Sequence, residues 1–172
     1  MNAAHTGVLE RLLHEDAEQA KASQYMLAFR SERGEELVSR NDFAGFRREM
    51  LEPARAAGSL SDAQADDYLR LWRDSKSVSA GLNYYRANKS GPPSGDDRAP
   101  RPLDATRVTV PTLVIWGDQD VYFTPRTLEL LPTVVPDLTV RRFADSSHWI
   151  VHQQPEAVAD LIAGFVAGRL ER

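Results

Sequence analysis

Two acids and one imidazole carry the strongest chemical signal in this sequence. Asp118 and Asp120 follow a short apolar run, Thr112 to Trp116, across Gly117. His148 follows a second run, Leu138 to Phe143, in the segment Ala144-Asp-Ser-Ser-His-Trp149. Read as parallel strands of an open α/β sheet, both runs end where such sheets gather functional groups, just beyond the strands' carboxyl ends. Neighbouring strands lie about 4.8 Å apart, so a carboxylate beyond one can meet an imidazole beyond the other. A carboxylate that accepts from Nδ1–H fixes the tautomer and steadies the imidazolium, leaving Nε2 as a base. Taken singly, an Asp after a strand is a turn former, and a lone His is a surface or core residue. Order and placement together point instead to acid–base chemistry. Asp118 directly follows Gly117 and is placed to cap the turn through backbone N–H groups. Asp120 lies two residues further out and can lean toward the next loop. The expectation from the residues alone is a carboxylate oxygen of one of these acids within about 3.2 Å of a His148 ring nitrogen. His5, His14 and His152 have no such placement and read as structural or solvated. His148 and His152 are four apart in a stretch that reads as loop, and they lack the acid of a zinc-binding helix motif, so no metal is expected.

The elements that must hold these groups fall into two kinds. Residues 7–88 read as almost wholly helical. Glu15 to Arg30 carries Ala22, Tyr25, Met26 and Phe29 on one stripe. Asp42 reads as the cap of a helix with Phe43, Phe46 and Met50. Ser61 and Gln64 form a capping-box pattern, followed by Tyr68, Leu71 and Trp72 at helical spacing. A further helix is expected over Val78 to Asn88. Residues 89–107, with SGPPSGDDRAPRP, read as a linker. Residues 108–172 then alternate. The continuous apolar run Thr112–Trp116 suits a strand buried on both faces. Pro125 to Leu131 reads as a short helix, and Pro155 opens a last helix with Val158, Leu161, Ile162, Phe165 and Val166 on its apolar stripe. Strand, helix, strand, helix implies a parallel pair. The division expected is 1–88 helical, 89–107 linker and 108–172 sheet.

The chain has 172 residues, a formal net charge of −4 and no cysteine. That charge lacks the basic footprint of a nucleic-acid binder. The missing cysteine removes disulfides, a thiol nucleophile and Cys-based zinc sites. No apolar run approaches the ~20 residues that span a bilayer, and Met1 to Glu10 lacks a signal-peptide pattern. A cytoplasmic setting without nucleic-acid or membrane partners is the default expectation.

Two segments carry a resemblance: Val-Pro-Thr-Leu-Val-Ile-Trp-Gly-Asp-Gln-Asp (110–120) and Ser-His-Trp-Ile-Val-His-Gln-Gln-Pro-Glu-Ala-Val (147–158). They resemble the C-terminal part of α/β-hydrolases of the epoxide hydrolase and haloalkane dehalogenase group, in which the acid also precedes the His. Gly81-Leu-Asn-Tyr-Tyr-Arg-Ala-Asn88 is similar to the cap motif of soluble epoxide hydrolases. Ser23-Gln-Tyr-Met26 resembles their other cap tyrosine motif, and Asn2-Ala-Ala-His5 the segment leading into the cap. The resemblance implies an α/β class and a partial α/β-hydrolase fold: a helical cap (1–88) and, after the linker, the last two β-α units of a parallel sheet. It makes His148 the base and, by position in the family, selects Asp120 as its orienting acid, with Asp118 engaged locally and given no catalytic part. Tyr85 and Tyr25 become donors to the oxygen of a small apolar epoxide, since a phenol of pKa near 10 can stabilise or protonate the alkoxide that forms. By spacing alone both tyrosines read as packing residues of helices. Tyr84 is expected to pack. No cofactor or metal is implied.

The family's His-Gly-x-Pro segment and its Gly-x-nucleophile-x-Gly elbow have no match here, and Asp96 lies in the linker. The chain therefore reads as cap plus last third of such an enzyme, inactive alone. Its Thr112–Trp116 strand is expected to expose an edge, so either oligomerisation or a complementing N-terminal half is expected. Alternatives are a dehalogenase, a Ser-type esterase, or a non-catalytic fragment or interaction module.

Overall fold

The computed structural model describes residues 3–89, 91–94 and 99–170. Asn2 and Asp96 lie outside the described residues. Two helices open the chain, α1 (Thr6–Glu15) and α2 (Ala17–Ala22). Five more follow: α3 (Tyr25–Arg30), α4 (Gly34–Phe46), then, after a π-helical turn at Arg47–Leu51, α5 (Glu52–Ala56), α6 (Asp62–Arg73) and α7 (Ser75–Ala87). A 3₁₀ turn at Leu103–Thr106 leads to β1 (Thr112–Gly117), α8 (Arg126–Val134), β2 (Leu138–Phe143), α9 (Ile150–Gln153) and α10 (Pro155–Val166). None of the described helices is long and apolar enough to cross a membrane.

The chain divides into two compact units, Met1–Ala22 with Arg98–Arg172, and Ser23–Asp97. This differs from a division at residues 88 and 108. The reason is the apolar stripe of α1. Val8 and Leu12 are buried against Leu131, Val134 and Val135 of α8 and its C-terminal end. His5 caps α1, its Nδ1 accepting from Val8 N–H, while its Nε2 bonds the Thr106 carbonyl at 2.8 Å. Arg101 pairs with Glu10 at 2.7 Å, so part of the expected linker belongs to this unit as well.

In the first unit, β1 and β2 pair in parallel, from Thr112 opposite Leu138 to Gly117 opposite Phe143. Alternation along β1 explains its continuous apolar run. Val114 joins the cluster under α1 and α8, while Leu113 and Ile115 join a second cluster with Ile150 and Val158. Both faces of the strand meet apolar neighbours: Ile115 and Trp116 are buried, Leu113 and Val114 half-buried. The helix expected over Glu15–Arg30 is interrupted at Asp16, which is extended (φ −123°, ψ 108°). Its carboxylate accepts from the N–H groups of Glu18 and Gln19 at 2.9 and 3.1 Å and starts α2 afresh, the ordinary competition of a short acid with helical backbone.

In the second unit, Ser61 and Gln64 close the capping box, at 3.2 and 2.8 Å. Asp74 caps α7, which begins three residues earlier than Val78. Leu71 is exposed, and Leu69 takes the core position on α6. Asp42 does not cap a helix. Asn41, Asp42 and Phe43 form a left-handed turn inside α4, with φ of 51°, 53° and 61°. Such a turn costs roughly 1–2 kcal/mol per residue. Burial of Phe43 against Trp72 offsets it, with ring centroids 5.9 Å apart, as does the two-pronged contact of Arg73 with Asp42 at 3.0 and 2.7 Å.

Arg86 clamps Glu35 between α7 and α4 at 2.7 and 2.5 Å. That hydrogen bonding holds the Glu35 carboxyl down at about 2 from its ordinary 4.5. A depressed acid stabilises the fold above its unfolded pKa, and the contribution is lost as pH falls through the folded one. Arg86→Met should therefore flatten the pH dependence of thermal unfolding between about 4.5 and about 2. Identical slopes for both chains in that window would contradict the assignment.

Candidate active site

The turn after β1 and the loop after β2 are joined by backbone. Asp118 N–H donates to the Phe143 carbonyl at 3.0 Å, and Gln119 N–H to the Ser146 carbonyl at 2.9 Å. The approach is so close that a Cβ on Gly117 would sit 2.4 Å from the Ser147 carbonyl oxygen and 2.5 Å from that of Ser146. Glycine is needed here for space.

Asp120 uses its two oxygens differently. Oδ1 accepts from Tyr122 N–H and Phe123 N–H at 2.7 and 3.1 Å, closing the turn. Oδ2 lies 2.9 Å from His148 Nδ1. The acid's side chain is 1 % exposed and the imidazole's 31 %. A carboxylate only accepts, so Nδ1 carries the proton and Nε2 keeps its lone pair. The His148 ring packs edge-on to Tyr122, with centroids 4.8 Å apart, and beside Phe123 at 5.8 Å. Its loop is pinned by Gln153, whose Oε1 accepts from Ser147 N–H at 2.7 Å and from the Ser147 hydroxyl at 3.1 Å. Trp149 N–H in turn donates to that hydroxyl at 3.2 Å. The arrangement can take a proton from water and stabilise the resulting cation.

Asp118 plays a different part from the turn cap expected of it. Its Oδ1 accepts from Arg142 Nε on β2 at 2.8 Å. Arg142 stands opposite Trp116 in the ladder, one step before the strand's end, so its long side chain reaches forward to Asp118. Turn capping falls to Asp120.

Tyr25 and Tyr85 lie in the second unit, on α3 and α7. Their rings are edge-on with centroids 6.3 Å apart, and Phe29 contacts both at 5.1 Å. Burial pushes the Tyr85 phenol above its ordinary pKa of 10, partly opposed by a hydrogen bond from Tyr25. Tyr85 is thus a neutral O–H donor throughout the neutral range. Tyr84 is 60 % exposed, and its ring meets that of Tyr85 edge-on with centroids 5.6 Å apart.

Sequence reasoning missed Gln19 and Gln153. Gln19 had a visible signal: Val8, Leu12, Asp16 and Gln19 continue one helical stripe that turns polar, and all four are buried. Gln153 carried none, since its acceptor role depends on how α9 folds back on Ser147. Among the described residues, no group of three His, Asp or Glu side chains is placed to hold a metal.

Comparison with known proteins agrees with this architecture. A model of the alpha/beta hydrolase fold matches residues 2–155. Epoxide hydrolase 2 of Caenorhabditis elegans is 26 % identical over 161 residues, covering 91 % of this chain and 43 % of that protein. The crystal structure of a Bacillus megaterium epoxide hydrolase in complex with an inhibitor superposes with a TM-score of 0.74 at 26 % identity, covering 95 % of this chain and 57 % of that one. A structure described as a novel epoxide hydrolase from metagenomes of hot environments gives 0.75 at 31 % identity, covering 97 % and 57 %. The chain spans about half the length of the curated relatives it matches. It belongs to the α/β-hydrolase fold family and, within that family, is epoxide hydrolase-like.

Proposed function

We propose that these residues serve the hydrolysis of a small apolar epoxide to a diol through an ester intermediate. The observation that carries the reading is the 2.9 Å contact of a nearly fully buried Asp120 with Nδ1 of a partly exposed His148. In the first step a nucleophilic carboxylate attacks an epoxide carbon and the carbon–oxygen bond breaks. Tyr85 and Tyr25 donate to the oxygen, and one gives it a proton. In the second step His148 Nε2 takes a proton from water, the hydroxide adds to the ester carbonyl, and diol and carboxylate are released. The proton left on His148 and the one missing from the tyrosine are balanced through solvent, which restores both groups. Paired phenols suit the oxygen of an epoxide; a departing halide needs no proton, which disfavours the dehalogenase reading.

The sequence holds no Gly-x-Asp-x-Gly and no His-Gly-x-Pro. The nucleophile in this proposal therefore comes from polypeptide other than these residues, and the complete enzyme is these residues together with that segment. Residues 1–172 alone should show no turnover of a styrene-oxide-like substrate. Turnover that disappears in a His148→Ala control would overturn that expectation.

Within the complete enzyme, Tyr85→Phe should slow ring opening by about 10²–10³, the loss of one donor to developing charge, and by less where Tyr25 shares the load. Ester hydrolysis should be nearly unchanged. Stopped-flow measurement of the two phases reads both, and equal slowing of the two would make Tyr85 a packing residue.

A further inference from the structure

We propose that Gln19 is a positioning residue for Asp120, fixing the acid's turn so that its Oδ2 meets His148; the proposal rests on reading that pair as acid and base. The Gln19 side chain is fully buried, at 0 % exposure. Its Nε2 donates to the Tyr122 carbonyl at 2.9 Å, and its Oε1 accepts from Thr124 N–H at 2.9 Å. One amide thus bonds the carbonyl of one residue and the N–H of the residue two further on, across a bend in the chain. An amide suits the site because it offers one donor and one acceptor on the same planar group without ionising.

The two clamps on the segment are complementary. Asp120 Oδ1 binds the N–H groups of Tyr122 and Phe123, which closes the turn upon itself. Gln19 binds the Tyr122 carbonyl and Thr124 N–H, which ties the turn to α2. Helix α2 is itself anchored at this point. Asp16 accepts from Gln19's own backbone N–H at 3.1 Å through Oδ1, and its Oδ2 pairs with Arg126 of α8 at 3.3 Å. The Asp120 carboxylate therefore inherits its position from a buried amide about a hundred residues away in sequence. Tyr122, whose carbonyl Gln19 holds, also places its ring against His148, so the same bond orients a wall of the site.

The test reads His148 directly in the 172-residue chain. Long-range ¹H–¹⁵N spectra at about pH 8, where a free imidazole is neutral, show which ring nitrogen carries the proton. The unmutated chain should show Nδ1–H. Gln19→Met keeps length and loses both bonds; Gln19→Glu keeps shape and loses the donor. Both should raise the Nε2–H share, in the direction set by Asp120→Asn, and Gln19→Met, which removes the acceptor of Thr124 N–H, should speed Thr124 amide exchange about tenfold. Amide shifts of α1 and β2 should stay native. Retention of Nδ1–H in a folded Gln19→Met chain would overturn the proposal. Should both variants fail to fold, the unmutated chain still decides. Slow exchange of the Gln19 amide protons with a through-bond coupling to the Tyr122 carbonyl supports the clamp, and its absence overturns it. The acid–base reading fails separately, if Asp120→Asn leaves His148 as Nδ1–H.

Discussion

Replacing Asp120 with asparagine in the complete enzyme should slow ester hydrolysis by about 10⁴, the scale seen when a triad acid stops orienting its histidine. The geometry explains why so small a change acts so strongly. Asparagine's Oδ1 can keep both bonds to Tyr122 N–H and Phe123 N–H, so the turn survives. Its NH₂ group then faces His148 Nδ1 where a carboxylate oxygen stood at 2.9 Å. A donor there forces the proton onto Nε2, and the nitrogen that must accept from water no longer can. Ring opening, which does not use that nitrogen, should proceed at nearly the native rate, so the variant should accumulate ester. Asp118→Asn is the control. It weakens an exposed pair with Arg142, an interaction of about 0–1 kcal/mol, and should change turnover less than about threefold. Single-turnover kinetics on the two variants separate the roles; a larger loss at Asp118 would reverse them.

Gly117→Ala should be nearly as damaging by another route. The added Cβ meets two carbonyl oxygens of the His148 loop at 2.4 and 2.5 Å, and backbone cannot step aside as a side chain does. Overpacking of this kind costs about 1–3 kcal/mol. The loop must move by about an ångström, enough to lengthen the Asp120–His148 bond and to lower turnover about 10²-fold. Gly81→Ala makes the contrast. Nothing lies within 4 Å of its Cβ position on α7, so this change should stabilise the protein by about 0.5–1 kcal/mol. Thermal unfolding of the two variants checks both signs. A neutral Gly117→Ala would mean that the two loops do not approach as described.

Local chemistry made much of this legible in the sequence. Thr112–Gly117 stands out because an apolar run bounded by Pro and Gly admits few other structures, and Leu138–Phe143 because Val140 and Arg141 alternate in character. Ser61 with Gln64 marks a helix start through bonds made within one turn, and Pro155 through its fixed φ and missing N–H. Asp120 and His148 were readable as a pair because both follow strand ends, and a parallel pair puts strand ends side by side. What escaped depends on contacts distant in sequence. Residues 6–22 continue a helical composition, and only the burial of Val8 and Leu12 against α8 assigns them to the first unit. Propensity opposes a left-handed turn at Asn41–Phe43; packing against Trp72 and Arg73 on another helix holds it there. Asp118 and Asp120 exchange the turn-capping role because Arg142 arrives from β2.

The most direct measurement is rapid-quench mass spectrometry of the complete enzyme carrying His148→Gln, mixed with excess styrene-oxide-like epoxide. Asp120 and the tyrosine pair stay intact in that variant, so ring opening proceeds without the base. The expected result is one covalent adduct of substrate mass, formed at the native rate and persisting while its hydrolysis is slowed by about 10⁴. Absence of an adduct, or an adduct hydrolysed at the native rate, would contradict the assignment of His148 as the base that completes the reaction.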